Sequence, residues 1–341
     1  MSDTPDTSNT PRDVTIVDVF PRDGLQTLLH EPHLRAPTTA EKVAIIERLD
    51  AANVPEIEIT GFVHPRVIPS LADADEVARE VLARPHKAAY KALVPNVRGA
   101  ERAMAASVPT LTCLIIASET YSSLNSNMSV ERNLQEIATI SKEATAAGFN
   151  VTVGMGTVFV CPYEGVQSEE HILRIIERIA EVGVTELSVA DSVGMAWPTL
   201  VRDRIRSIQS HFPQLRLALH LHTLAGLALA NAFAAWEVGV RAFEGSVGGI
   251  GGGIAMPVHT TTMGNVATED LVYLFEQCGA HTGVNQEALT AIARDAQQLI
   301  GAGQSYTATY GTMEKFLQIT NRELDRMRAT PPGDSRAQAR A

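Results

Sequence analysis

The chain has 341 residues, 45% hydrophobic, 20% charged and 5% aromatic, which suffices for one large α/β domain or two ordinary ones. A net charge of −11 argues against sequence-independent nucleic-acid binding, which needs a basic footprint, but leaves room for a small anionic ligand held locally. Cys113, Cys161 and Cys278 show no disulfide or metal-cluster spacing, residues 1–12 do not read as a secretory signal, and no apolar run reaches transmembrane length. We therefore expect a cytoplasmic protein with no membrane or nucleic-acid partner.

In chain order, apolar β-branched runs alternate with amphipathic stretches. The expected strands are 14–19, 56–60, 89–94, 111–117, 150–160, 186–190, 215–222 and 242–247. Helical patterns cover 39–52, 73–82, 99–105, 130–147, 169–182, 199–211, 224–238 and 268–278. Gly148, Gly183 and Gly239 stand where helix C-caps are needed. Strict alternation of strand and helix implies a parallel sheet, and eight units match a (β/α)8 TIM barrel, with a doubly wound open sheet as the alternative. The expected organisation is a disordered start at 1–12, a barrel domain at 13–301, extra C-terminal helices within 302–328, and a disordered tail at 329–341.

Polar residues gather just after the strands: Arg22 and Asp23, Glu58, Asn96, Asp191 and Ser192, His220 and His222, and Asn265. In a barrel these positions face the C-terminal mouth, where catalytic groups sit. His220 and His222 share one strand face because side chains alternate with period two. A carboxylate, two imidazoles and an amide make a mixed N/O site suited to Mg²⁺ or Mn²⁺, with Zn²⁺ as a further option. Each residue alone also has a plain reading: Arg22–Asp23 as a surface pair, and either histidine as a hydrogen-bonded core residue. The glycine-rich stretch 248–253 lacks the Gly-Lys-Ser/Thr ending of a phosphate loop and reads better as an active-site loop.

Several segments together resemble 3-hydroxy-3-methylglutaryl-CoA lyases and the wider DRE-TIM metallolyases. They are VDVFPRDGLQ at 17–26, IEITGFV at 57–63, PN at 95–96, ASE at 117–119, CPYEG at 161–165, HLH at 220–222, GNVATEDLVY at 264–273 and HTGVN at 281–285. The resemblance runs from about residue 13 to about residue 301. It implies that Asp23, His220, His222 and Asn265 hold a divalent metal, with His220 also counted among the catalytic groups. It further implies that Arg22 neutralises a developing enolate and that Glu58 orients the substrate or a water. Gln26, Asn96, Asp191 and Ser192 would bind the substrate, and a homodimer is implied as well.

The chain departs from the family pattern in three places. Gly253 stands where the family carries a loop cysteine, and glycine transfers no proton. His259, in the same loop, is the candidate replacement acid or base, with a solvent-facing histidine as the plain alternative. Thr223 replaces the aspartate that follows the family's His-x-His, and Cys161 reads as a buried packing residue. The lysines that often follow the opening and Ser-Glu motifs are missing, which leaves Arg35, Arg66 and Arg98 to meet the phosphates of a CoA ester. The leading expectation is a metal-dependent carbon–carbon lyase acting on a 3-hydroxy acid or its acyl-CoA thioester. A condensing enzyme forming the same bond and a catalytically silent metal-binding paralogue are the alternatives.

Overall fold

Each of the eight expected strands forms in the computed structural model, which describes residues 12–28, 33–252 and 264–329. The first five are β1 (Thr15–Asp18), β2 (Glu56–Gly61), β3 (Ala89–Val94), β4 (Thr110–Ile116) and β5 (Asn150–Gly156). A separate antiparallel hairpin of β6 (Val160–Cys161) and β7 (Gly165–Val166) precedes β8 (Glu186–Asp191), β9 (Arg216–Leu221) and β10 (Ala242–Gly245). The eight long strands are all parallel and close in the order β1-β10-β9-β8-β5-β4-β3-β2. The closed sheet is the expected TIM barrel, and the open-sheet alternative is excluded.

Parallel neighbours need crossover helices, and the amphipathic stretches supply them. They are α1 (Thr39–Ala51), α2 (Ala74–Leu82), α3 (Val97–Ala105), α4 (Glu119–Ser126), α5 (Val130–Ala146), α6 (Glu169–Glu181), α7 (Pro198–His211), α8 (Ala228–Glu237) and α9 (Thr268–Gln277). In α6, Ile172, Ile175, Ile176 and Ile179 form one buried stripe at helical spacing. Each such side chain contributes about 1.5–3 kcal/mol on burial. A capping box fixes the start of α1, in which Thr38 accepts from the Glu41 N–H and Glu41 returns to the Thr38 N–H. The cap is therefore Thr38, one residue before the expected start. Beyond the barrel repeats lie α10 (Gln286–Ile300), α11 (Tyr306–Tyr310) and α12 (Met313–Ala329). No helix among the described residues is long and apolar enough to cross a membrane.

Among the strands that stop short of their expected ends, two do so for clear local reasons. The 150–160 strand ends at Gly156 because Thr157 takes a left-handed φ of 55°, held by a hydrogen bond from its N–H to Ser192 Oγ. The 215–222 strand ends at Leu221, and His222 instead forms an isolated antiparallel bridge with Asn265. Helix α4 was not expected; Ser118 caps it by accepting from the Tyr121 N–H. The expected disordered ends fall almost wholly outside the described residues.

Asp18 locks the seam where the barrel closes. Its carboxylate is fully buried and accepts from the Phe20 N–H at 3.0 Å, the Val247 N–H at 3.0 Å and Thr268 Oγ1 at 2.6 Å. One side chain thus ties the end of β1 to the segment after β10 and to α9. Burial pushes its pKa up to about 7, against the pull of those hydrogen bonds. The folded state therefore holds the proton more tightly than the unfolded chain, and this contribution fades as pH rises from about 4 to about 7. Replacing Asp18 by Ala leaves three buried donors without an acceptor and should lower the unfolding free energy by at least about 2 kcal/mol in urea titrations. The loss should be larger at pH 5 than at pH 8; a loss that grows with pH would refute this account.

Candidate metal centre and active site

The strand ends bring the expected ligands together. After β1 the chain turns through residues 23–25, where the Arg22, Asp23 and Gly24 N–H groups all converge on the Val19 carbonyl. Only glycine fits at position 24, since a Cβ there would lie 2.9 Å from Phe20 Cδ2. His220 on β9 and His222 just beyond it both face inward, with their Nε2 atoms 3.0 Å apart. Ligand atoms of Asp23, His220 and His222 all lie within 4.8 Å of one another. Asn265 Nδ2 donates to Asp23 Oδ1 at 2.6 Å and to the Ile250 carbonyl at 3.1 Å.

Whether this cluster suits a metal can be tested on its own atoms. Asn265 Oδ1 is buried and has no hydrogen-bond partner among the described residues, so a donor oxygen is left over at the site. Burial and the neighbouring His220 push His222 down to about 4, which keeps it neutral. His220 Nδ1 lies 3.0 Å from Glu244 Oε2, a spacing that puts a proton on Nδ1 and leaves the Nε2 lone pair facing His222. Burial disfavours protonation of His220, but that hydrogen bond and the Asp23 charge outweigh it and raise its pKa. Two ligand atoms about 2.1 Å from one ion in neighbouring octahedral positions stand about 3 Å apart, the spacing of the two Nε2 atoms. Asp23, His220, His222 and Asn265 fit a divalent cation.

Around them runs a compensated set of buried charges. The Arg22 guanidinium bonds to both Asp23 and Glu58. Burial works against the cation, yet Glu58 and Asp23 hold its pKa above the ordinary value. Burial also works against the Asp23 carboxylate, and Arg22 and the histidines outweigh it, so its pKa falls. Lys91 Nζ lies 3.5 Å from Glu244 and 3.6 Å from Glu56, and those carboxylates overcome burial to keep it charged. Sequence reasoning missed Glu244 and Lys91. The signal was present, since each is a single charge inside an otherwise apolar strand, where an ionised group must find a partner.

A cavity of about 360 Å³ opens at the mouth, with Arg22, Asp23, His220, His222 and Glu244 on its polar side. Gln26 lines it too, donating to Asp23 at 2.9 Å and to the Gly252 carbonyl at 2.7 Å. Asn96 and Ser192 also line it, although Asn96 caps α3 through the Gly99 N–H and Ser192 accepts from Thr157. Asp191 and Glu58 are not among the described lining residues. Asp191 accepts from the Met195 and Ala196 N–H groups and so shapes the turn after β8, and burial pushes its pKa up to about 6. Glu58 stands behind Arg22.

Cys161 is buried against Ile116 and Tyr121, and its thiol donates to Ser118 Oγ at 3.2 Å, as a packing residue would. Gly253 and His259 lie outside the described residues. The segment containing them leaves and returns at one point, because a Cβ on Gly264 would collide with the Gly251 carbonyl. Thr223 Oγ1 donates to the Gly264 carbonyl at 3.1 Å, which fastens the returning end. Arg35 pairs with Glu41, whereas Arg66 and Arg98 are exposed near the mouth and make no ion pair among the described residues.

Proteins similar to this chain include named lyases. The HMGL-like family model matches residues 13–296. The chain is 40% identical to the (R)-citramalyl-CoA lyase of Chloroflexus aurantiacus, over 82% of this chain and 88% of that protein. It is 38% identical to hydroxymethylglutaryl-CoA lyase YngG of Bacillus subtilis, over 85% of this chain and 94% of that one. Among solved structures it resembles an HMG-CoA lyase from Acinetobacter baumannii in complex with coenzyme A and 3-methylmalate. The TM-score there is 0.82 at 32% identity, covering 91% of this chain and 97% of that chain.

The His220–Glu244 contact carries a test. Glu244→Gln should weaken Mn²⁺ binding about 10–100-fold in a calorimetric titration, the usual cost of losing the group that orients a ligand imidazole. Unchanged affinity would show that Glu244 serves only to balance Lys91.

Proposed function

Because the chain belongs to the HMGL-like family, we propose that it is a divalent-metal-dependent carbon–carbon lyase that cleaves a 3-hydroxyacyl-CoA. The observation that carries this reading is the convergence of Asp23, His220, His222 and the unpartnered Asn265 oxygen beside Arg22, inside one cavity at the barrel mouth. Cleavage must take a proton from the 3-hydroxyl and stabilise an enolate as the C2–C3 bond breaks. Asp23, His220, His222 and Asn265 would hold a divalent cation, which would lower the pKa of the substrate hydroxyl. Arg22 keeps N–H donors beyond those given to Asp23 and Glu58, and they meet the developing enolate oxygen without reorganising. Gln26, Asn96 and Ser192 contact the substrate, while Asp191 and Glu58 hold the turn and the guanidinium that do so. His259 is our candidate for the group that protonates the enolate carbon.

The relatives' names favour a CoA thioester over a free hydroxy acid, and cleavage over condensation or a silent role. Arg66 and Arg98 are the cations we assign to the CoA phosphates. The 3.0 Å spacing of the imidazoles favours Mg²⁺ or Mn²⁺ over tetrahedral Zn²⁺. A homodimer in the cytoplasm completes the reading.

The protein loaded with Mg²⁺ or Mn²⁺ should release acetyl-CoA from 3-hydroxy-3-methylglutaryl-CoA, or pyruvate and acetyl-CoA from citramalyl-CoA, as followed by chromatography. EDTA should abolish release, and Arg22→Ala should lower kcat by at least about 100-fold. Cleavage that persists in EDTA would sink the proposal.

A further inference from the structure

Barrel interiors are normally filled by layers of bulky branched side chains. Here two adjacent strands depart from that. Gly154 on β5 pairs with Ser188 on β8, and Ala190, two residues further along β8, pairs with the metal ligand His220. All three small residues line the cavity, and Gly154 and Ala190 are only half-buried although they sit on barrel strands. The cavity therefore continues one inward-facing layer below His220, roughly 6–7 Å at two residues of strand rise. Leu93 on β3 and Leu114 and Ile116 on β4 wall this hollow, on the side of the barrel away from Asp23 and the histidines. Arg22 is the only lysine or arginine lining the cavity among the described residues, and two carboxylates already hold it. A carboxylate placed in the hollow would meet no further lysine or arginine among the described lining residues.

We infer that the site takes a 3-hydroxyacyl-CoA whose carbinol carbon carries an apolar substituent longer than methyl, lodged between Leu93, Leu114 and the gap left by Gly154. This rests on the lyase reading and adds the substrate class. With the hydroxyl and any carboxylate arm at the metal ligands and the thioester toward Arg66 and Arg98 at the mouth, the alkyl substituent points downward. The hollow fits an alkyl chain of about four carbons.

Gly154 supplies the test, because a Cβ there meets only Leu114 Cδ1 at 3.8 Å and the Cys113 carbonyl at 3.9 Å, ordinary contacts that a valine tolerates. The kcat/KM values of 3-hydroxy-3-alkylglutaryl-CoA esters bearing methyl, ethyl and butyl groups should be measured on the wild type and on Gly154→Val. The wild type should favour butyl over methyl by about 10-fold or more, and Gly154→Val should erase that preference. A wild type that prefers methyl, or a ratio unmoved by Gly154→Val, would overturn the inference. If no ester turns over, the lyase reading fails instead, and calorimetry of the same esters decides the inference separately. Tighter binding of the butyl ester, lost in Gly154→Val, would uphold it, and equal binding would overturn it.

Discussion

Removing a carboxylate from water into a barrel interior costs several kcal/mol unless a partner restores what the water gave. At the mouth of this barrel three buried carboxylates, Asp23, Glu58 and Glu244, meet two buried cations, Arg22 and Lys91. Burial pushes Glu58 toward its protonated form, whereas Arg22 and the two histidines hold Asp23 as a carboxylate beside them. Low dielectric makes that charge matter, and a divalent ion held by Asp23, His220, His222 and Asn265 would answer it. Folding and metal binding are in this sense one electrostatic problem. The ionic groups that make the mouth expensive to bury alone are the groups that would give it affinity for a cation.

The fold solves the geometric half of the problem. Parallel closure sets all strand ends on one rim, so residues from β1, β9 and the segment after β10 reach one point despite their distance in sequence. Asp18 closes the seam next to that point, which makes the position of Asp23 depend on the stapled end of β1. The strand residues that line the opposite arc, from β3 to β8, are apolar or small: Leu93, Leu114, Ile116, Gly154, Met155, Gly156, Ser188 and Ala190. One rim thus carries two chemically distinct halves facing each other across a single cavity, the general form of a site that anchors a polar head and accommodates an apolar remainder.

The barrel and its four metal-ligand candidates were legible in the sequence, because strand runs with strong periodicity also announce their own ends. Asp23 and His222 follow such runs, His220 lies near the end of one, and Asn265 closes the stretch after the eighth. Glu244 and Lys91 were not picked out, since one charge in an apolar strand reads as a break in pattern until its partners on neighbouring strands are known. Asp191 shows the opposite failure: a polar residue after a strand can serve its own turn rather than the cavity. Thr157 in its left-handed conformation and the helix after Ser118 depend on tertiary contacts that no local pattern records. The hollow beneath His220 was equally hidden, because glycine and alanine in a strand look weak rather than purposeful until register places them side by side.

The contact between Gly251 and Gly264 has an evolutionary consequence. The two ends touch and are each fastened, one by Asn265 on the Ile250 carbonyl and the other by Thr223, so the scaffold closes whatever chain runs between them. Loop length then costs little, since doubling it adds only about 0.6 kcal/mol of closure entropy. The residues between such fastened ends can change in number and kind, as a cassette can, while Asp23, His220, His222, Asn265 and the Arg22 guanidinium stay where they are.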